Sequence, residues 1–152
     1  MHPAVETWEI NQRVNEYLLS AIKEEQLKDT ANSKGRNVGE QFAHINNVRL
    51  MWIKAAAPEL MEGLIKVEKE NSISKKLLLD ALKKSSTAIS TLLEQAFEAG
   101  KVKGFKPHPQ AFLGYLLAHE AHHRGQLILA LKENGHLPDK KILFGLWEWG
   151  VR

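Results

Sequence analysis

The chain has 152 residues, enough for one domain whose single core buries roughly two thirds of the surface an unfolded chain exposes. It is 43% hydrophobic and 26% charged, the balance of a soluble globular protein, with no apolar run near the ~18 residues a membrane span needs. It contains no cysteine and carries a formal charge of +3, which excludes disulfides, thiolate metal ligands and a cysteine nucleophile and leaves His, Asp and Glu to hold any metal.

The opening MHPAVETWEI has no basic stretch followed by an apolar core, so no secretory signal is expected and the cytoplasm is the expected compartment. From Val5 to about Lys28, Val14, Leu18, Ala21 and Ile22 recur with helical spacing, and the polar stretch DTANSKG ends this first helix. A second helix begins at Asn37, which caps it while Glu40 reaches back as the other half of a capping box. Val38, Phe42, Ile45, Val48 and Trp52 form its apolar stripe. Pro58 interrupts the pattern, and ELMEGLIKV reads as a short helical crossover.

A third helix is expected from about Ser72 to Ala99, on Leu78, Leu82, Ile89, Leu93 and Phe97, with Gly100 and Gly104 supplying its stop and loop. Pro109 suits the first turn of a fourth helix that runs to Glu133 and ends at Asn134-Gly135. The tail DKKILFGLWEW reads as a turn or short helix that packs Phe144, Trp147 and Trp149 onto the rest. Nothing alternates as strands do and nothing repeats, so the expected fold is an all-α bundle of four long helices in one domain, residues 1–152. The lysines fall in short pairs, Lys75-Lys76, Lys83-Lys84 and Lys140-Lys141, with no continuous basic stripe. That distribution argues against nucleic acid as a partner.

Within the fourth helix lies LLAHEAHHRGQL, where three histidines, a glutamate and an arginine interrupt an apolar run. Burying such groups costs several kcal/mol unless they are satisfied. His119 and His123 are four apart and so share a helix face, about 40° from one another. His44 lies in register with Val48 and Met51 on the second helix. Three imidazoles from two helices would then converge, a set of neutral nitrogen donors that leaves coordination positions open on a divalent ion. Buried histidines also satisfy one another without any metal, so spacing by itself leaves both readings open. His122 is rotated about 100° from His123 and is expected at the surface or behind the ligands. His2, His108 and His136 lie in expected termini and loops and read as exposed polar residues.

The letters from His119 to His123 also match H-E-x-x-H, in which Glu120 would be the general base of a metalloprotease. The longer metzincin form fails, because Gln126 and Leu129 stand where it requires glycine and histidine. The sheet-bearing scaffold of such proteases is missing as well.

Several stretches together resemble the DinB family, also called the DinB/YfiT-like superfamily of metalloenzymes. They are Trp8 and Asn11, NVGEQFAHI from Asn37 to Ile45, Trp52, YLLAHEAHHRGQL from Tyr115 to Leu127, and the tryptophan-bearing tail. The resemblance implies an up-down-down-up four-helix bundle, a metal held by His44, His119 and His123, and frequent homodimers. Characterised relatives include metal-dependent transferases and isomerases that use low-molecular-weight thiols such as bacillithiol, mycothiol or glutathione, and others are described as hydrolases.

A divalent ion acidifies bound water and deprotonates an incoming thiol, so one geometry serves hydrolysis or thiol transfer. The expected function is therefore that of a metal-dependent enzyme of thiol-transferase or hydrolase type acting on a small molecule. A non-catalytic metal-binding stress or interaction protein is the alternative. Zinc and nickel lead among metals that accept imidazole. Candidates for proton transfer are Tyr115, one turn before His119; Glu120, beside a ligand; and Gln126 and Asn47, each three residues past a ligand. Their ordinary roles would be a partly buried aromatic, a solvated helix face and two interhelical hydrogen bonders. Arg124 could bind a carboxylate bidentately or form a salt bridge at a helix or dimer surface. Glu40 lies one turn before His44, but its cap accounts for it.

Overall fold

The computed structural model describes residues 1–32 and 34–152. Five α-helices carry the fold: α1 (Pro3–Ser20), α2 (Val38–Ala56), α3 (Lys75–Ala99), α4 (Pro109–Glu133) and the short α5 (Lys140–Gly145). No strand occurs among the described residues, which contain one isolated bridge, Val102 to Phe105. Among the described residues no helix is long and apolar enough to cross a membrane.

The helix ends follow local chemistry. Asn37 Oδ1 accepts from the Glu40 amide at 2.8 Å, and Glu40 Oε1 accepts from the Asn37 amide at 3.4 Å, completing the expected capping box. Ser74 caps α3, two residues beyond the expected start, and α3 stops at Gly100, whose φ of 71° is a left-handed conformation that suits glycine. The first helix is shorter than its apolar pattern, ending at Ser20 and followed by a separate 3-10 turn, Glu24–Lys28. The reason is tertiary. The Lys75 ammonium donates to the carbonyls of Ser20 and Ile22 at 3.0 and 2.7 Å, satisfying groups that a continued helix would have bonded itself.

The connection from α2 to α3 departs further from expectation. Two short 3-10 turns, Pro58–Met61 and Lys69–Asn71, stand at its ends, and between them the chain runs extended alongside α2 where a helix over ELMEGLIKV was expected. Asn46 Nδ2 donates to the Ile65 carbonyl at 3.1 Å. Asn47 bonds Val67 twice, donating to its carbonyl at 3.0 Å and accepting from its amide at 2.9 Å. At the far end Gly39 passes so close to Ser72 that a methyl group there would overlap the Ser72 carbonyl oxygen. The connection thus retraces α2 from its last residue to its first turn, and α3 starts beside the start of α2. The end of α4 lies there too, since Asn32 and Thr30 bond Glu133 and Asn134.

The core has two apolar clusters. Leu18, Phe42, Leu82 and Leu127 belong to one, and Trp8, Ile53, Ile89 and Phe112 to the other. Between them lies a polar layer in which Asn11, Asn15, Arg49, Ser85 and Glu120 are all buried. In the tail the expectation for two aromatics fails: Phe144 and Trp147 are 67% and 80% exposed, whereas Leu146 is buried and Trp149 packs on the core. Leu143 and Leu146 take the inward positions of this short segment, which turns Phe144 and Trp147 outward.

Candidate metal centre

The capping box starts α2 at a fixed residue, so the helix presents Gln41 and His44 toward α4 one turn apart. His108 caps α4, its Nδ1 accepting from the Ala111 amide at 3.1 Å, and α4 then brings His119 and His123 to one face. The three rings meet. Centroid separations are 5.3 Å from His44 to His119, 4.4 Å from His44 to His123, and 4.6 Å from His119 to His123. One nitrogen from each ring lies within 4.8 Å of the others.

His44 Nε2 and His119 Nε2 are 3.3 Å apart. Tetrahedral zinc with bonds of about 2.0–2.1 Å places neighbouring nitrogens about 3.3–3.4 Å apart, so this pair already has the spacing of two ligands. His123 Nδ1 lies 2.7 Å from Gln41 Oε1. An amide oxygen only accepts, so Nδ1 carries the proton and Nε2 presents its lone pair, which is the outer bond that metal-binding histidines ordinarily make. The residues present fit a divalent ion that accepts imidazole.

Electrostatics keep the rings neutral. The His44 pKa is lowered by burial, then by the charge of Arg36, then by His119. Burial also lowers His119, against the opposing pull of Glu120. His123 is lowered to about 4, mainly by burial and then by His44 and His119. Neutral imidazole is the form a metal needs.

The site sits nearer the surface than its sequence register implies. Met51, offered as a core neighbour of His44, is 53% exposed. His44 and His119 are half-buried and only His123 is buried, so the α2 stripe through Val48 and Met51 lies at the bundle's rim. The cluster is therefore reachable. Arg36, Glu40, His44, Asn47, Lys66 and Lys69 line a cleft of about 230 Å³ beside it. Arg36 is exposed and forms no ion pair among the described residues. On the opposite flank Tyr115 stacks on His119, centroids 6.2 Å apart, and meets Trp52 edge-on at 5.5 Å.

Glu120 is placed differently. It is 1% exposed, so its ordinary reading as part of a solvated face is overturned. Its Oε1 accepts from Arg49 Nε at 2.6 Å, and its Oε2 accepts from Arg49 Nη2 at 2.9 Å, Asn11 at 2.7 Å and Asn15 at 2.8 Å. Burial pushes its pKa up, but the Arg49 charge and these hydrogen bonds outweigh it and hold the carboxyl below its usual range. Both oxygens are occupied, which leaves no free carboxylate of the kind the H-E-x-x-H reading requires.

Arg124 joins the same layer by donating to Asn11 Oδ1 and Asn15 Oδ1 at 2.9 and 2.7 Å. Burial lowers its pKa, with Glu120 opposing. Gln126 is exposed and Asn47 is spent on Val67, while His122 is exposed at the edge of His123. His2 and His108 are helix caps, and His136 pairs with Asp29 at 2.5 Å.

Sequence reasoning missed Gln41, Arg36 and Arg49. Gln41 had a signal, three residues before His44 on the same helix face. Arg49 had a weaker one, a charged residue between Ile45 and Ile53 in a buried stripe.

An all-helical bundle thus brings three histidines from two of its helices into a group that could hold a metal ion. The chain matches the DinB family over residues 3–141 and belongs to that family. Comparison with curated proteins and with solved structures gives no match.

Proposed function

We propose that this protein is a metal-dependent enzyme of thiol S-transferase or hydrolase type, with zinc or nickel held by His44, His119 and His123. The observation that carries the reading is the meeting of three neutral imidazoles, one oriented by Gln41, in a layer that solvent reaches. A divalent ion held there acidifies a bound water or thiol. The rest falls to the chain. Gln41 keeps His123 in one tautomer. The exposed Arg36, beside His44 in the cleft, attracts an anionic small molecule, as low-molecular-weight thiols bearing carboxylates are. Trp52 and Tyr115 offer an apolar wall for the acceptor with the Tyr115 hydroxyl at its edge, and the exposed Gln126 amide, three residues past His123 on α4, supplies a further hydrogen bond. Glu120 acts through position, by fixing α4 against α1 and α2 through Asn11, Asn15 and Arg49.

The up-down-down-up arrangement belongs to the same proposal, supported by the α2–α3 connection that retraces α2. So does a homodimer, which light scattering of the purified protein tests.

The deciding experiment is elemental analysis of protein purified without chelators or immobilised-metal chromatography, repeated on His44→Ala. Bound metal that the variant loses with its fold intact supports the site. Turnover on thiol acceptors, esters and amides then separates enzyme from binder. The second reading, a metal-binding protein without catalysis, is favoured by the locked Glu120 carboxylate, and failure of the metal-loaded protein across that panel would establish it.

A further inference from the structure

On the side of α4 opposite the histidines, about 180° around at 100° per residue, a groove of about 430 Å³ runs between α1, α4 and the C-terminal segment. Its size falls within the range of small-molecule sites. Ala121 and Gly125 leave the α4 side shallow, and Leu143, Trp147 and Trp149 form the facing wall. Asn11 and Arg124 are its polar members.

Arg124 gives the groove its chemical character. One of its terminal nitrogens donates to Asn11 and Asn15, while Nε and the other terminal nitrogen make no hydrogen bond among the described residues. It has no carboxylate partner there. The one carboxylate of the polar layer, Glu120, is gripped by Arg49 at two atoms. Two guanidiniums thus share one carboxylate, leaving a positive charge without a counter-ion at the margin of an apolar groove. Desolvating such a charge is costly unless an anion meets it, and a guanidinium fork suits a carboxylate.

We propose that this groove is a binding site for an organic carboxylate with an apolar body, the carboxylate on Arg124 and the body along Leu143, Trp147 and Trp149. The occupant is a medium-chain carboxylate or a small molecule of that chemistry. The site is separate from the histidine centre and does not depend on a metal there.

Decanoate titrated into the full chain tests this, by calorimetry and by tryptophan fluorescence, since Trp147 and Trp149 line the groove. Saturable binding is expected, with 1-decanol weaker by at least about tenfold because it lacks the charged hydrogen bonds. Arg124→Gln should weaken decanoate by a similar factor. Because that variant disturbs the polar layer, Gly125→Leu provides the independent arm: Gly125 lines the groove and a Cβ there meets no atom within 4 Å, so the added side chain starts in the open space of the groove. It should abolish decanoate binding while leaving helical circular dichroism and the melting temperature in place. His44→Ala should bind decanoate as the parent does, which keeps this site distinct from the metal reading. Absence of saturable binding, equal binding of decanol, or unchanged binding by Gly125→Leu would overturn the proposal. So would a dimer that Gly125→Leu splits, because a second copy would then fill the groove.

Discussion

On one face of α4, His119 and His123 meet His44 in a half-open layer where the rings touch few other polar groups. One residue further round the helix, Glu120 is sealed between two apolar clusters with four hydrogen bonds to its oxygens. The histidines are neutral because burial and neighbouring positive charge disfavour their protonation, and the carboxylate is ionised because a guanidinium compensates its burial. The first region keeps lone pairs free; the second gains rigidity by leaving nothing free. Adjacent letters of HEAHH therefore do different work.

The largest expected effect breaks the sealed side. Glu120→Gln leaves Arg49 buried without its counter-charge and should cost about 3–5 kcal/mol, which thermal denaturation would read as a fall of about 6–20 °C. Replacing the pair together, Arg49→Met with Glu120→Leu, should recover a large part of that loss. If Glu120→Gln melts as the parent does, the polar layer is not what joins the two clusters.

The open side should respond in the reverse manner. His44→Ala should leave the melting temperature of the metal-free protein nearly unchanged and weaken metal binding by more than the 10–100-fold typical of an outer partner. Gln41→Leu should fall inside that 10–100-fold range, because it frees the His123 tautomer without removing a donor. Competition against a zinc chelator of known affinity measures both, and equal affinities for parent and His44→Ala would remove that histidine from the site.

Acid sharpens the contrast with a smaller signal. His123 protonates at about 4 in the folded chain, below the ordinary 6.5. As pH falls below about 6.5 the unfolded chain takes up this proton first, so stability of the metal-free protein declines between about 6.5 and 4 and shows no slope from this group above 6.5. Glu120 acts in the same sense at lower pH, its contribution present above the usual carboxylate range and lost as pH drops through its depressed folded value. Denaturant midpoints across this window should flatten in His123→Gln. Smallest of all, Trp147→Ala at an 80% exposed position should change stability by less than about 0.5 kcal/mol.

What the amino-acid letters disclose follows the same division. His119 and His123 could be paired from helical geometry, because a relation of four residues is local. His44 needed its apolar register, and that register pointed too far inward: Val48 and Met51 lie toward the rim. The four long helices were legible from caps and periodicity, with Asn37, Glu40, Gly100 and Pro109 marking their ends as expected. The early end of α1 was not, because the group that completes it, Lys75, comes from α3. The pairing of Arg49 with Glu120 was hidden too, since each is a charge within an apolar stretch whose partner lies on another helix. In the tail Trp149 packs as expected, but a count of large aromatics misled for Phe144 and Trp147, and only packing could show that Leu146 turns inward.

The twin bonds between Asn47 and Val67 make an amide side chain stand in for a neighbouring strand. Lengthening the connection before this clasp, around Glu62 and Gly63, would only add slack to an exposed bend. An insertion between Val67 and Ser72 would instead push the close approach at Gly39 out of step and shift Lys66 or Lys69 relative to His44. Variation in the reach of that cleft is thus mechanically confined to a few residues, and a library aimed at changing what the cleft admits would do best to randomise Lys66 and Lys69 while keeping the spacing of the clasp.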